Sequence, residues 1–471
     1  LTAFQAMAAE AHALGKPVAA LKVGASEQAQ AGTVSHTASL AGSDAGARAL
    51  LARLGIGQVG SLAAMLQALT LLHVAGPLGS NRIGSMSCSG GEASLIADMA
   101  HAGGLVCPPL DAGQRAALRA VLGPEVALAN PLDYHTRIWG DVDAMAATFA
   151  AVMQADLALG CVVLDFPRGD RCSAAAWAPV IEAVDRARRA AAGPMAILAS
   201  LPETLPETTA ERLIERGIVP LAGMAEGVEA IRVAARIGIW QPEAAPVLVP
   251  AEGAPAPTLG EAAAKAALAA FGLHLPRAAV AEGPSGAAAA AARIGCPVVL
   301  KGEGFAHKTE AGAVALNLAT PGAVQAAAAA MPTTRFLVEE MVRDTVVELL
   351  VGVVRDPAHG YVLTLAAGGT LTEVLADRAA LLVPASRPAV HAALAGLWVY
   401  RLLTGYRGRP AADLEAIVDA VMALQAYVAA AHPHEVEINP LMCGPAGAVA
   451  ADALIRPADA GAQHTAALAD A

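Results

Sequence analysis

Four short stretches of this sequence carry side chains that could do chemistry. The first is Ser35-His36-Thr37-Ala38-Ser39-Leu40-Ala41-Gly42-Ser43-Asp44. An imidazole among small residues sits in chain that lets the ring approach a ligand or move; the competing reading is an exposed loop histidine. The second, Ser87-Cys88-Ser89-Gly90-Gly91-Glu92, follows the apolar run Ile83–Ser87 and opens a helical pattern. Ser89, Gly90 and Gly91 there would let backbone N–H groups face an anion, with the helix dipole adding positive potential. A tight turn without a ligand fits the same residues. The third is Val298-Val299-Leu300-Lys301, followed by a glycine-containing loop with His307, Lys308 and Gly312. A lysine at a strand end before such a loop suits phosphate binding as a point charge, while His307 also reads as an ordinary loop side chain. The fourth is Glu435-Val436-Glu437-Ile438-Asn439-Pro440-Leu441, with Asp452 expected on the next strand. Strand alternation places Glu435, Glu437 and Asn439 on one face, and oxygen ligands from an amide and a carboxylate suit Mg²⁺.

The elements that must hold these residues read as three modules. An Ala-rich helix over Leu1–Leu14 breaks at Gly15-Lys16-Pro17 and leads to a buried strand, Val18–Val23. One strand cannot form a parallel sheet alone, because strands buried on both faces need neighbours; the expectation is a segment truncated upstream and least stable before Gly76. After Gly76-Pro77-Leu78-Gly79-Ser80, strands at Ile83–Ser87, Leu157–Phe166, Met195–Ser200 and Ile218–Leu221 alternate with helical stretches, which implies a doubly wound parallel sheet. Five prolines between Pro242 and Pro257 form a semi-rigid linker. Beyond it, Thr258-Leu259-Gly260-Glu261 reads as a capping-box helix start and the remaining pattern as α+β.

Composition narrows the class. Hydrophobic residues are 56% and charged residues 15% of 471, with a mean hydropathy of +0.51, so a large core is available and disorder is excluded. No run of about 18 apolar residues is free of polar interruption, which leads us to expect a soluble, cytoplasmic protein that does not engage a membrane. A net charge of −11 argues against a nucleic-acid surface. The six cysteines are scattered without a C-x-x-C pair, as in reduced thiols. Only five of the 31 basic residues are lysines, so each is marked as a position that uses an ammonium, Lys301 and Lys308 among them. The stretch from Asn130 to Asp141 holds Asp133, Tyr134, Arg137 and Trp139. It is a substrate-pocket candidate weighed evenly against plain loop packing.

Taken together and in this order, the motifs resemble the NDP-forming acyl-CoA synthetase superfamily, which includes ADP-forming acetate–CoA ligase and succinyl-CoA synthetase. S-H-T-x-x-L-A-G-S-D resembles the family's phosphorylated histidine segment, and S-G-G before a helix the turn that faces the phosphohistidine. From Thr258 the chain resembles an ATP-grasp domain through V-V-L-K, H-K-T-E-x-G, E-L-L-V-G-V-x-R-D-P, G-G-x-L-x-E-V and E-I-N-P-L. The resemblance implies an α/β fold of flavodoxin-like doubly wound parallel sheets followed by an α+β ATP-grasp domain. Residues 1–76 would be the remnant of a succinyl-CoA-synthetase-like domain, 80–240 a second flavodoxin-like domain, 241–257 the linker and 258–471 the ATP-grasp domain.

It further implies the reaction acid + CoA + ATP ⇌ acyl-CoA + ADP + phosphate, through an acyl phosphate and a phosphohistidine at His36. His307 would relay phosphoryl to or from the nucleotide. Lys301 would contact ATP or ADP phosphates, Glu339 and Glu340 would sit at the adenine hinge, Glu348 would line the nucleotide pocket, and Asn439 and Asp452 would hold Mg²⁺. CoA is implied as a substrate, bound by a module upstream or on another subunit of a homo- or hetero-oligomer. Ala38, Ala93 and Ala313 stand where many members have Gly, and ordinary φ is expected there. Two other readings compete: an idle nucleotide- or acyl-CoA-sensing regulator of the same architecture, and a different ATP-grasp ligase, which would leave His36 without a role.

Overall fold

The computed structural model describes residues 1–26, 28, 42–191, 193–251, 253–305, 311–368 and 377–458. They fall into two units. One holds Ala3–Ala29 and Leu51–Pro242; the other holds Leu1–Thr2, Gln30–Leu50 and Glu243–Ala471.

In the first unit, five parallel strands lie in the order β4-β3-β5-β6-β7, with β3 Ile83–Ser87, β4 Leu132–Asp133, β5 Leu159–Val163, β6 Met195–Ala199 and β7 Val219–Ala222. β3, β5 and β6 are buried at every residue, which explains why they read as unbroken apolar runs. Alternate side chains serve opposite faces. Met86, Val162 and Ile197 meet Phe149 and Val184 from the helices Val142–Val152 and Ala178–Ala191. Ile83, Cys161 and Leu198 meet Leu71, Ile96 and Ile231 from the helices Leu62–Val74, Gly90–Ala102 and Met224–Ile239.

The expected strand at Val18–Val23 needs correction. β1 is only Ala19–Leu21, half-buried at all three residues, and Val23 is 75% exposed. Nor does it lack a neighbour: it pairs in parallel with β2, Gly57–Val59, from Ala19↔Gly57 to Leu21↔Val59. Three residues containing a Gly and a Gln leave little hydrophobic trace, so β2 went unread.

The second unit has two antiparallel sheets. The smaller, in the order β10-β9-β11-β8, contains β8 Ala278–Glu282, β9 Val298–Gly302, β10 Val314–Leu318 and β11 Arg335–Glu340. Ala287, Ala290 and Ala291 of the helix Gly283–Ile294, with Val324 and Ala328 of the helix Pro321–Ala330, pack with its residues Val298, Leu300, Phe336 and Val338. The larger sheet runs β14-β13-β12-β15-β16, with β17 also on β15. Its strands are β12 Val347–Asp356, β13 Gly360–Ala367, β14 Arg378–Leu382, β15 Glu435–Gly444, β16 Gly447–Ala450 and β17 Ala453–Arg456. The helix Leu414–Ala431, capped by Asp413, is long and apolar enough by length and composition to cross a membrane. Here Ile417, Val421, Leu424 and Val428 are fully buried within this unit's core, as in a core helix.

Two further expectations change. The helix after Thr258 is Glu261–Ala269 with Gly260, which has no side chain to cap it, at its N-cap, and Glu261 as first helical residue pairs with Lys301. Asp452 lies between β16 and β17 and not on a strand. Ala93 and Ala313 take ordinary backbone conformations, as expected.

Candidate functional site

Four buried charges meet in the second unit. Lys301 sits on β9 opposite Leu337 of β11, and Glu339, two residues along the same face of β11, reaches it with Oε2 at 2.8 Å. One turn apart on their helix, Glu261 and Lys265 complete the group. Lys301 Nζ donates to Glu261 Oε1 at 2.6 Å, while Lys265 Nζ donates to Glu339 Oε1 at 2.5 Å and lies 2.9 Å from Glu261 Oε1. Both ammonium groups also donate to the carbonyl of Ala451, each at 2.5 Å. All four residues are at least nine-tenths buried. Two positive and two negative charges give a neutral cluster with each charge hydrogen-bonded, the condition for burying ions at tolerable cost.

Burial by itself would push the Lys301 ammonium down. The Glu339 and Glu261 carboxylates, with Asp452 beyond them, override it and hold Lys301 above its ordinary value. For Lys265 the balance reverses: burial and the charge of Lys301 outweigh the same carboxylates, and its value is lowered. Lys265 and Glu261 were missed as site residues. The scarcity of lysine, applied to Lys301 and Lys308, points equally to Lys265.

The cluster grips the turn that carries Asp452. Ala451 N donates to Pro440 O at 3.0 Å, and Asn439 N to Asp452 O at 3.3 Å, so Asn439 and Asp452 are neighbours across the β15 edge. Asn439 is exposed and its Nδ2 donates to Glu437 Oε1 at 3.1 Å, in keeping with the alternation that puts both on one face. Among the described residues no three His, Cys, Asp or Glu side chains converge to enclose a metal. An amide and a carboxylate on two residues joined by a backbone hydrogen bond nevertheless have the donor chemistry of a Mg²⁺ site that keeps its waters and shares phosphate oxygens. Glu348 is half-buried on β12. The carboxylates expected at the adenine hinge are both occupied, Glu339 by the lysines and Glu340 by Arg277 N at 2.9 Å and Nε at 2.6 Å. A hinge contact from these residues would therefore come from backbone.

In the first unit, the Ser-Gly-Gly turn lies at the C-terminal end of β3. Ser89 caps the helix Gly90–Ala102, its Oγ accepting from Glu92 N at 3.4 Å, and Gly90 and Gly91 are the first exposed helical residues. A Cβ on Gly90 would lie 3.1 Å from Asp133 Oδ2, so β4 presents Asp133 to this turn. Burial, then the charges of Asp165 and Asp133, raise the Glu92 carboxyl, and burial with Glu92 raises the Cys88 thiol. Tyr134 is fully buried beside these groups, edge-on to Phe149 at 5.3 Å. Arg137 is exposed and ion-paired with Glu125, whereas Trp139 is half-buried and stands edge-to-face with Trp177, 5.7 Å between ring centroids. Trp177 in turn donates Nε1 to Asp165 O at 2.7 Å. Tyr134 is thus a core residue and Arg137 a surface one, and the partners Asp165 and Trp177 were not foreseen. His36, His307, Lys308 and all of the G-G-x-L-x-E-V stretch after Gly368 lie outside the described residues.

Comparison with known proteins finds the ATP-grasp domain family over residues 251–456 and the succinyl-CoA ligase like flavodoxin domain over residues 2–72. A trans-feruloyl-CoA synthase from an unknown prokaryotic organism is 30% identical over 476 residues, covering 96% of this chain and 66% of that protein. Acetate–CoA ligase [ADP-forming] I of Archaeoglobus fulgidus is 27% identical over 467 residues, covering 90% of this chain and 64% of its own length. The beta subunit of acetate–CoA ligase [ADP-forming] II of Pyrococcus furiosus is 29% identical over 209 residues, 41% of this chain and 88% of the subunit. The chain therefore spans just under two thirds of the first two relatives.

Proposed function

Because the chain belongs to the NDP-forming acyl-CoA synthetase superfamily, we propose that it works in an acid–CoA ligase that converts a carboxylic acid, CoA and ATP to acyl-CoA, ADP and phosphate. The observation that carries this reading is the Lys301–Glu261–Lys265–Glu339 cluster. Through Ala451 it sets a cation and two oxygen donors, Asp452 and Asn439, around one turn. Such an arrangement suits a nucleotide's phosphates, with Lys301 exchanging a carboxylate for a phosphate oxygen. Asn439 and Asp452 would hold Mg²⁺, which neutralises phosphate charge when bound.

The γ-phosphoryl group of ATP passes to a ring nitrogen of His36 with ADP leaving, His307 serving as relay. It then passes from that nitrogen to the carboxylate of the acid, forming an acyl phosphate. The CoA thiolate attacks the acyl carbon, the C–O bond to phosphate breaks, and inorganic phosphate departs. Ser89, Gly90 and Gly91 would orient backbone N–H groups at the phosphoryl group at the acid end. The relative named a trans-feruloyl-CoA synthase, together with the Trp139–Trp177 pair, supports an acid larger than acetate. The relative that is a separate beta subunit supports an assembly in which a partner chain supplies part of the ligase.

The test is incubation with [γ-³²P]ATP and Mg²⁺. Label that is acid-labile and base-stable, absent from His36→Ala and formed more slowly in His307→Ala, is the expected result. Full-speed labelling of the His307 variant would leave His36 as the sole carrier. Label that survives undiminished in His36→Ala would remove His36 as the stable phosphoryl carrier.

A further inference from the structure

Of the four buried charges in the second unit, one reaches furthest toward the surface. The side chains of Glu261, Lys265 and Glu339 are 3%, 4% and 2% exposed, whereas that of Lys301 is 10% exposed. Lys301 also stands at a strand end, one residue before Gly302 closes β9, while Lys265 lies in the middle of its helix. Of the two ammonium groups, Lys301 is therefore the one that an incoming anion meets. The acceptors are shared between the lysines. Glu339 gives each a separate oxygen, Oε1 to Lys265 at 2.5 Å and Oε2 to Lys301 at 2.8 Å. Glu261 gives Oε1 to both, at 2.9 Å from Lys265 and 2.6 Å from Lys301. The Ala451 carbonyl likewise accepts from both. Each of these three groups would keep an ammonium partner if Lys301 turned away. That redundancy matters, because stripping a buried carboxylate of its last partner is among the costliest changes a core can undergo.

We propose that Lys265 is a positioning residue for nucleotide binding, staying on Glu261 and Glu339 so that Lys301 can leave them for a phosphate oxygen. The inference rests on the reading of Lys301 as the phosphate ligand. A single lysine between two carboxylates would be held by both, and a phosphate would have to compete with two anions for it. With Lys265 present, the cluster is neutral before the phosphate arrives, and the carboxylates share one ammonium afterwards. Glu261 acts in the opposite sense, since its 2.6 Å bond to Lys301 is one that the phosphate replaces.

The experiment uses the full chain and measures the Kd for ADP by calorimetric titration. Adenosine, which shares the base and ribose but carries no phosphate, is titrated by competition. Lys265→Met is expected to raise the ADP Kd at least tenfold and to leave the adenosine Kd within twofold. Glu261→Gln keeps the side chain's size but loosens the hold on Lys301, and should lower the ADP Kd at least threefold. Loss of packing would weaken binding in both variants, so opposite signs from two residues four apart on one helix separate the two roles. Should Lys265→Met fail to fold, Lys265→Met/Glu339→Gln restores the charge balance and takes its place. Its thermal midpoint should recover while its ADP Kd stays at least fivefold above wild type, because Lys301 would still strand Glu261 on leaving. Wild-type ADP affinity in either Lys265 variant would overturn the proposal. Parallel weakening of ADP and adenosine, or ADP binding in Glu261→Gln that is no tighter than wild type, would do the same. Lys301→Met tests the underlying reading and should weaken ADP but not adenosine. Unchanged ADP affinity there would strike at Lys301 as the phosphate ligand and not at the role of Lys265.

Discussion

Lys301 and Lys265 share two carboxylates and one carbonyl, and those carboxylates, with Asp452 beyond them, hold the Lys301 ammonium above its ordinary value despite its burial. Neither lysine is replaceable by an apolar side chain alone. Lys265→Met leaves one cation for two buried carboxylates and should cost about 3–5 kcal/mol, the usual penalty for breaking a buried ion pair by removing one partner. Adding Glu339→Gln restores neutrality, so the double variant should be more stable than Lys265→Met in urea denaturation. A double variant that is weaker than the single one would mean that packing, and not charge balance, holds the cluster. Residues beyond the cluster should behave differently. Asn439→Ala and Asp452→Ala touch the exposed side of the same turn and should weaken Mg-nucleotide binding about tenfold or more with the fold intact. Equal affinities in titration calorimetry would remove these two residues from the metal site.

At the level of elements, the helix Gly90–Ala102 begins where three carboxylates, Glu92, Asp133 and Asp165, face one another. Glu92 is raised above its ordinary 4.5 by burial and then by Asp165 and Asp133, so the folded chain binds this proton more tightly than the unfolded chain. The associated stability is complete below pH 4.5 and is lost as pH rises through the raised value. Glu92→Gln should therefore be more stable than wild type near pH 7, with the difference closing as pH falls toward 4. A constant difference across that range would exclude proton linkage at Glu92. The two-stranded β1–β2 pair makes a contrasting case. Three half-buried residues bonded to one neighbour should open locally, so amides at Ala19–Leu21 should exchange faster than those of Met195–Ala199, which lie inside a five-stranded sheet. Equal protection would show that the pair opens only with the whole unit.

For the molecule as a whole, each unit has hydrophobic clusters of its own. A chain with separate cores departs from all-or-none unfolding, and calorimetry should resolve two transitions. Mg-ADP binds one unit in our reading, so at 100 times its Kd it should stabilise one transition by about 2.7 kcal/mol and leave the other in place. A single transition moving as one would show that the units melt together.

Much was legible along the chain because it repeats locally. The fully buried strands β3, β5 and β6 need unbroken apolar runs, and Val436 and Ile438 alternate with Glu437 and Asn439 because one face of β15 is buried. Those are short-range periodicities, set by burial of successive residues. The motifs that identify the family are likewise contiguous. What needed the folded chain were meetings between distant residues: Lys265 with Glu339, 74 positions apart, Lys265 with the Ala451 carbonyl, 186 apart, and Ser43 with Asp356, 313 apart. An ion pair or a hydrogen bond across such separations leaves no period in either partner's neighbourhood. The same holds for β2, where Gly57-Gln58-Val59 becomes a strand through pairing with Ala19–Leu21 and not through its own composition. Glu261 shows the difference: the local Thr258–Glu261 pattern calls for a capping box, whereas in the fold the helix begins at Glu261 itself and the carboxylate pairs with Lys265 of its own helix and Lys301 of a remote strand.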